Sequence, residues 1–315
     1  MRISTNSTFL QGSYGVSIQQ SLMSQLNVQL STLKRVNTPS DDPVAAARIL
    51  DVSQSDARNS QFITNTKTAD SALEFSSTAL SQMAELVTQA KELAVQAGNG
   101  STSDQNLQQM QTVFQKKLEE MVAIANTTDA NGKYLFAGTN ADTPAYSMVG
   151  NTIEYRGNDG QKSLAISDTR QIAISEPGST IFGNGNNVAN PADDDSFFGI
   201  MVRFNNLLTA GKNATFGGPP PRTYDQELTA VMAGMDQGLQ SVVTAEASVG
   251  SRQLEAQNAG NLGEDLSLVY AKTRSNLEDL DVPKAASDLA MAQMALQASQ
   301  LSFSKVQGMS LFNYI

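Results

Sequence analysis

The chain has no cysteine, no histidine and no tryptophan among its 315 residues. Without cysteine there is no disulfide framework and no thiol nucleophile, and with histidine also missing there is no Cys/His zinc site. Without histidine there is no Ser-His-Asp triad and no imidazole general base. Basic residues are scarce as well. The 21 Lys and Arg stand against 31 Asp and Glu, a net charge of −10, and this is the wrong sign for a phosphate backbone, so nucleic acid is not an expected partner. Carboxylates remain, and composition alone leaves open a glycosidase-type acid pair or a Ca²⁺ or Mg²⁺ site. No two carboxylates are placed by sequence across a cleft, and Asp193-Asp194-Asp195 lacks EF-hand spacing, so no catalytic residue, cofactor or metal ligand is assigned. No run approaches 18 apolar residues, which excludes a membrane-spanning helix from the reading, and no apolar stretch follows Met1 to Asn6 as a cleaved signal would require.

What is present divides the chain in three. Residues 131–224 hold 6 of the 9 prolines, 12 of the 22 glycines and 10 of the 19 aromatics. Within them Tyr146–Val149 and Thr152–Tyr155 flank Gly150-Asn151, a two-residue hairpin signal. Leu164, Ile166, Ile172 and Ile174 alternate at period two, and a helix is predicted from Ser196, closed by Gly211. The flanks are helical. Leu73, Leu80, Val87 and Ala94 recur every seven residues beside Ala69, Ser76, Met83, Ala90 and Ala97, the a and d positions of a heptad. Ser103 is placed to cap a following helix, and Thr223 with Gln226 forms a capping box before another. Plain core packing accounts for each of these stripes. The predicted fold is mainly α, a long coiled-coil-like bundle formed from both termini, with an inserted β-rich middle domain that projects from it.

Charge is missing where helices should be. Residues 1–33 carry one charge, Arg2, and residues 285–315 carry two, Asp288 and Lys305. Ile18, Leu22, Leu26, Leu30 and Leu33 still make a stripe in the first segment. In the last, Val282, Leu289, Leu296 and Phe303 are seven apart, with Ala285, Ala292, Ser299 and Val306 as companions. A solvated helix normally carries charge on its outer face. These faces, made of Gln, Ser, Ala and Met, suit protein on more than one side. The candidate assembly interface is therefore Ile18, Leu22, Leu26, Leu30, Leu33, Leu289, Leu296, Phe303, Val306, Leu311 and Phe312. So few large apolar groups offset ordering entropy poorly, and the two ends are expected to be disordered in the monomer.

Between the first helix and the bundle lies Arg35-Val36-Asn37-Thr38-Pro39-Ser40-Asp41-Asp42-Pro43. Asn37, Ser40, Asp41 and Asp42 are turn and N-cap residues, and Pro43 suits a first helical turn. This segment resembles the N-terminal signature of the flagellin superfamily, and the Pro-Ser-Asp-Asp-Pro form, Pro39 to Pro43, resembles its hook-associated branch. Gly132-Lys133-Tyr134-Leu135-Phe136-Ala137-Gly138-Thr139 is similar to that branch's entry into its outer domain. Leu277-Glu278-Asp279-Leu280-Asp281 resembles the shared motif before the last helix, and Ser310 to Ile315 resembles the branch's ending. Val282-Pro283 departs from the usual Tyr-Ala pair, which puts a possible kink at that point.

The resemblance implies an exported structural subunit of the bacterial flagellum, not an enzyme, extracellular and without a cleaved signal. It implies a ring of like subunits joining the hook-associated zone to the filament. The implied partners are other copies of the chain, the first hook-associated protein, flagellin, and an export chaperone on the C-terminal segment. It makes Asn37, Pro39, Ser40, Asp41, Asp42 and Pro43 a domain-boundary signature. Residues 1–40 and 281–315 become an inner terminal helical domain, 41–130 and 225–280 a bundle domain, and 131–224 an outer domain. A minor flagellin, or an exported carboxylate enzyme or adhesin carried on the middle domain, are the alternatives.

Overall fold

The computed structural model describes residues 5–185, 195–217 and 221–311. Helices α1 (Thr5–Thr32), α2 (Pro43–Ala97) and α3 (Asp104–Ala125) come first. Four short strands follow, β1 (Tyr146–Val149), β2 (Thr152–Tyr155), β3 (Ser163–Ala165) and β4 (Gln171–Ala173). Helices α4 (Gly178–Phe182), α5 (Phe197–Ala210), α6 (Tyr224–Glu278) and α7 (Val282–Leu311) complete the order. Among the described residues no helix is long and apolar enough to cross a membrane.

Local chemistry sets many of these boundaries. Ser103 Oγ accepts from the Asn106 amide at 3.3 Å, one of the donors that the first turn of α3 leaves unpaired. Thr223 and Gln226 satisfy each other's amides at 3.0 and 3.4 Å, a reciprocal capping box opening α6. Ser196 caps α5 through the Gly199 amide at 3.0 Å, and Gly211 ends it at φ 77°. Gly150 takes φ 60° in the tight turn that pairs β1 with β2, Val149 opposite Thr152.

The chain forms two compact units, residues 61–264 and residues 1–60 with 265–315. In the first of these, the predicted seam of α2 is filled. Leu73, Leu80, Met83, Val87, Ala90 and Ala94 are all buried, against Phe114, Leu118 and Met121 of α3 and Val231, Met235 and Val242 of α6 in one core. Phe114 meets Phe204 of α5 edge to face at 4.7 Å. Helix α5 sits close to α6 because Gly234 and Gly238 carry no side chain. A Cβ on Gly234 would lie 2.3 Å from Ile200 Cδ1.

The middle segment belongs to this same unit. Among the described residues its strands pair two by two, β1 with β2 and β3 with β4, and α5 is its longest element. A ring cluster of Tyr146, Phe182, Phe197 and Phe198 forms its interior. Gly138 is required by geometry twice over. Its φ is 68°, and a Cβ there would stand 2.0 Å from the carbonyl oxygen of Asn158. Asn158 in turn ties the two turns together, its Oδ1 accepting from the Thr139 amide at 2.8 Å and the Gly160 amide at 3.1 Å.

Two arginines of this unit meet carboxylates in its interior. Arg203 and Glu227, 3% and 2% exposed, are joined at 2.8 Å, with Arg222 on the second Glu227 oxygen and Asp195 on Arg203. Arg252 pairs with Glu176 and also donates to the Ala173 carbonyl at 3.0 Å, while Asn65 donates to Ala165 at 2.7 Å. These contacts bind the β3–β4 hairpin to the long helices.

Candidate assembly site

The other unit is built from both ends of the chain, and its helices α1 and α7 pack side by side, antiparallel. On α7 the covered residues include Ala285, Leu289, Ala292, Leu296, Ser299 and Phe303, spaced alternately four and three. On α1 the covered positions include Gly12, Val16, Gln19, Met23, Leu26 and Leu30. Only Leu26, Ala285 and Ala292 are buried among them. The approach is close at the far end, where a Cβ on Gly12 would meet Phe303 Cδ2 at 2.7 Å.

The predicted interface residues are therefore divided. Leu26, Leu30, Leu289, Leu296 and Phe303 lie on the covered seam, whereas Ile18, Leu22 and Leu33 are exposed. The side chains of Val306 and Leu311, and all of Phe312, lie outside the described residues. Spacing by four picked out a face of α1 that runs obliquely off the seam. Gly12, Val16, Gln19 and Met23 complete the seam, and of these Gly12 and Gln19 give no apolar signal.

A second set of apolar groups stays in solvent. On α1 it is Leu10, Tyr14, Ile18 and Leu22, with Tyr14 70% exposed. On α7 it is Met291, Met294 and Leu301, with Leu301 63% exposed. Met291, Met294, Ala298 and Leu301 are themselves spaced three, four and three, a second heptad face on the same helix. Neither stripe includes a charge.

The two chain crossings at the end of this pair are cross-linked. Helix α1 stops at Leu33, which takes the left-handed φ of 58° although it is not glycine. Its carbonyl accepts from the Leu280 amide at 3.0 Å, and Lys34 bridges Asp279 as an isolated antiparallel pair. The Arg35 amide donates to the Glu278 carbonyl at 2.6 Å. The Arg35 guanidinium donates to the Leu277 carbonyl at 2.8 Å and to Asp42 at 3.0 Å. Lys34 pairs with Glu278. Arg35, Leu33 and Glu278 thus have working roles that local reading did not assign, since their partners lie more than 240 residues away or, for Leu33, no glycine marks the position.

The signature residues build the bend itself. Asn37 donates to the Lys34 carbonyl at 3.0 Å. The Asp41 amide closes a turn onto the Thr38 carbonyl at 3.0 Å, with Pro39 at its second position and Ser40 hydrogen-bonded to the Thr38 hydroxyl. Asp41 accepts the Thr38 and Asn37 amides at 2.8 and 3.0 Å, and these hold its carboxyl below the usual range. Asp42 caps α2 through the Ala45 amide at 3.0 Å, and that amide and the Arg35 guanidinium lower its pKa as well. Pro43 is the first residue of α2, where a missing N–H costs nothing.

Comparison with known proteins meets these same features. Residues 3–141 match the bacterial flagellin N-terminal helical region. Over 99% of its length the chain is 32% identical to flagellar hook-associated protein 3 of Salmonella typhimurium, 99% of which is covered. The chain belongs to the flagellar hook-associated protein 3 family. The fold agrees with hook-associated protein 3 of Legionella pneumophila, with a TM-score of 0.60 at 18% identity over 72% of this chain and 98% of that one. The flagellar junction protein of the same organism gives 0.57 at 16% identity over 74% and 100%.

Within this member of the hook-associated protein 3 family, Val282-Pro283 does not break the last helix. Asp281 caps α7 through the Lys284 amide at 3.1 Å, and α7 begins at Val282. Pro283 then falls in the first turn, where no i−4 carbonyl awaits its nitrogen. Of the Asp193-Asp194-Asp195 run, Asp193 and Asp194 lie outside the described residues, and Asp195 is paired with Arg203.

Proposed function

We propose that this chain is an exported structural subunit of the flagellum, assembled as a ring of like copies between the first hook-associated protein and the flagellin filament. The observation that carries this reading is the second, uncharged apolar face on both α1 and α7, left in solvent once the first face is used within the chain. An exposed contiguous apolar surface on a folded chain marks an interface. Relatives named as hook-associated and junction proteins fit the same role. The layering that suits it has residues 1–40 and 281–315 at the axis, 41–130 and 225–280 around them, and 131–224 outermost. Small neutral side chains let terminal helices pack against identical neighbours, and their modest burial leaves the α1–α7 pair only marginally stable until assembly adds to it. Before export the same faces need a cover, the role assigned to a chaperone on the C-terminal segment. The signature bend from Asn37 to Pro43 marks the step from the axial layer to the bundle.

A strain lacking the gene tests this directly. Swimming should be lost while intact flagellin accumulates in the medium, and the intact gene should restore both. Leu296→Asp should secrete a chain with a folded middle unit that fails to restore swimming. Filaments of normal length in the deletion strain would overturn the junction role. Thousands of copies per filament would make the chain a filament subunit instead.

A further inference from the structure

A heptad repeat leaves one question open that something else in the molecule must answer. The α7 seam runs Ala285, Leu289, Ala292, Leu296, Ser299, Phe303, small and large in alternation. Sliding it by seven residues along α1 presents nearly the same surface, and an offset of one residue turns a different face inward by about 100°. Helix α7 also has a second apolar face, at Met291, Met294, Ala298 and Leu301, that competes for the same partner. Periodicity alone therefore fixes neither the register nor the face.

We infer that Arg35 is the register-setting residue of the terminal helix pair. Its side chain joins the two chain crossings, beside the backbone bonds that Leu33 and Lys34 make there. Its guanidinium reaches the Leu277 carbonyl at 2.8 Å and Asp42 at 3.0 Å, and its own amide holds the Glu278 carbonyl. The first contact is to the last turn of α6, and the second is to the cap of α2. Both crossings are short: ten residues separate α1 from α2, and three separate α6 from α7. Tying residue 35 to residues 277 and 278 therefore fixes where α7 starts relative to the end of α1. A guanidinium is needed because its planar fork donates in two directions at once, and a lysine ammonium lacks that fixed geometry. Gly12 against Phe303 is the matching stop at the far end. With both ends fixed, the 289/296/303 face is spent within the chain and the 291/294/301 face is left for a neighbour. This role is independent of the ring reading, because it concerns one copy.

The absence of cysteine makes the test clean. Midway between the two fixed ends, Met23 falls beside Ala292. Met23→Cys with Ala292→Cys reports the native register, and Met23→Cys with Ser299→Cys reports a slip of seven. In the soluble full chain with Arg35 intact, oxidation should cross-link the first pair about tenfold more than the second. Arg35→Ala should bring the two yields close together, and Arg35→Lys should give an intermediate ratio. An unchanged ratio in Arg35→Ala would overturn the inference. So would equal yields with Arg35 present, or full restoration by lysine. Loss of swimming is not the readout, so a failed ring hypothesis and a failed register hypothesis give different results.

Discussion

Helices α2 and α7 have the same seven-residue repeat and opposite fates. In α2 the seam is closed, with Leu80, Met83 and Val87 fully buried. In α7 the alternate positions are Ala and Ser, as most of those in α2 are, yet of its described seam only Ala285 and Ala292 are buried. The difference lies in how many partners each helix has. The α2 seam shares one core with α3, α5 and α6, whereas among the described residues the main partner of α7 is α1. Periodicity thus says that a helix has a face to bury, and the number of helices that pack on that face says how much of the stability it can supply.

Hydrogen exchange should show the contrast at its widest. Amides of α3 and of residues 69–94 should exchange only through global opening of the core. Those of residues 5–32 and 282–305 should exchange faster by two or more orders of magnitude in the soluble chain. Equal protection in the two sets would remove the difference and, with it, the coupling of terminal order to assembly.

Truncation should sharpen the same comparison. Phe114 is fully buried and edge-on to Phe204, so Phe114→Ala should lower the unfolding free energy of residues 61–264 by about 4 kcal/mol, seen as a fall in thermal midpoint. Leu26→Ala removes the best-buried side chain of α1 yet should leave that midpoint unmoved, because its loss is confined to the α1–α7 pair. A large shift from Leu26→Ala would show the terminal pair to be part of the main core.

The same contrast explains what the residue order disclosed. The hairpin at Gly150-Asn151, the caps at Ser103, Ser196 and Thr223, and the α2 seam were all legible, because each depends on neighbours within a turn or a repeat. The covered face of α1 was not. It includes Gly12 and Gln19, whose place depends on Phe303 and the rest of α7. The middle segment contains less strand than its alternation suggested, since α4 and α5 supply much of its interior. The Arg203–Glu227 pair and the Arg35 contacts are set by tertiary meeting alone. In the candidate site, then, the chemistry of the bend was readable and its long-range partners were not.

The bend offers the smallest effect and the most local one. Asp41 and Asp42 both have pKa values lowered in the folded chain, the first by the Thr38 and Asn37 amides, the second by the Ala45 amide and then Arg35. A carboxyl whose folded value lies below its unfolded value of 3.8 contributes stability that is complete well above pH 3.8. That contribution is lost as pH falls through the folded values. Lys34, Arg35, Glu278 and Asp279 also face this joint. Acid should therefore loosen the bend before it melts the core. The amides of Thr38 and Ala45 should lose protection below about pH 4 while those around Phe114 keep theirs. Asp42→Asn, which keeps a neutral capping oxygen but loses the charge opposite Arg35, should make the Ala45 amide insensitive to pH in that range. If Ala45 in the variant still followed pH as in the natural chain, the titrating group would have to be sought elsewhere in the joint, with Asp41 the next to replace.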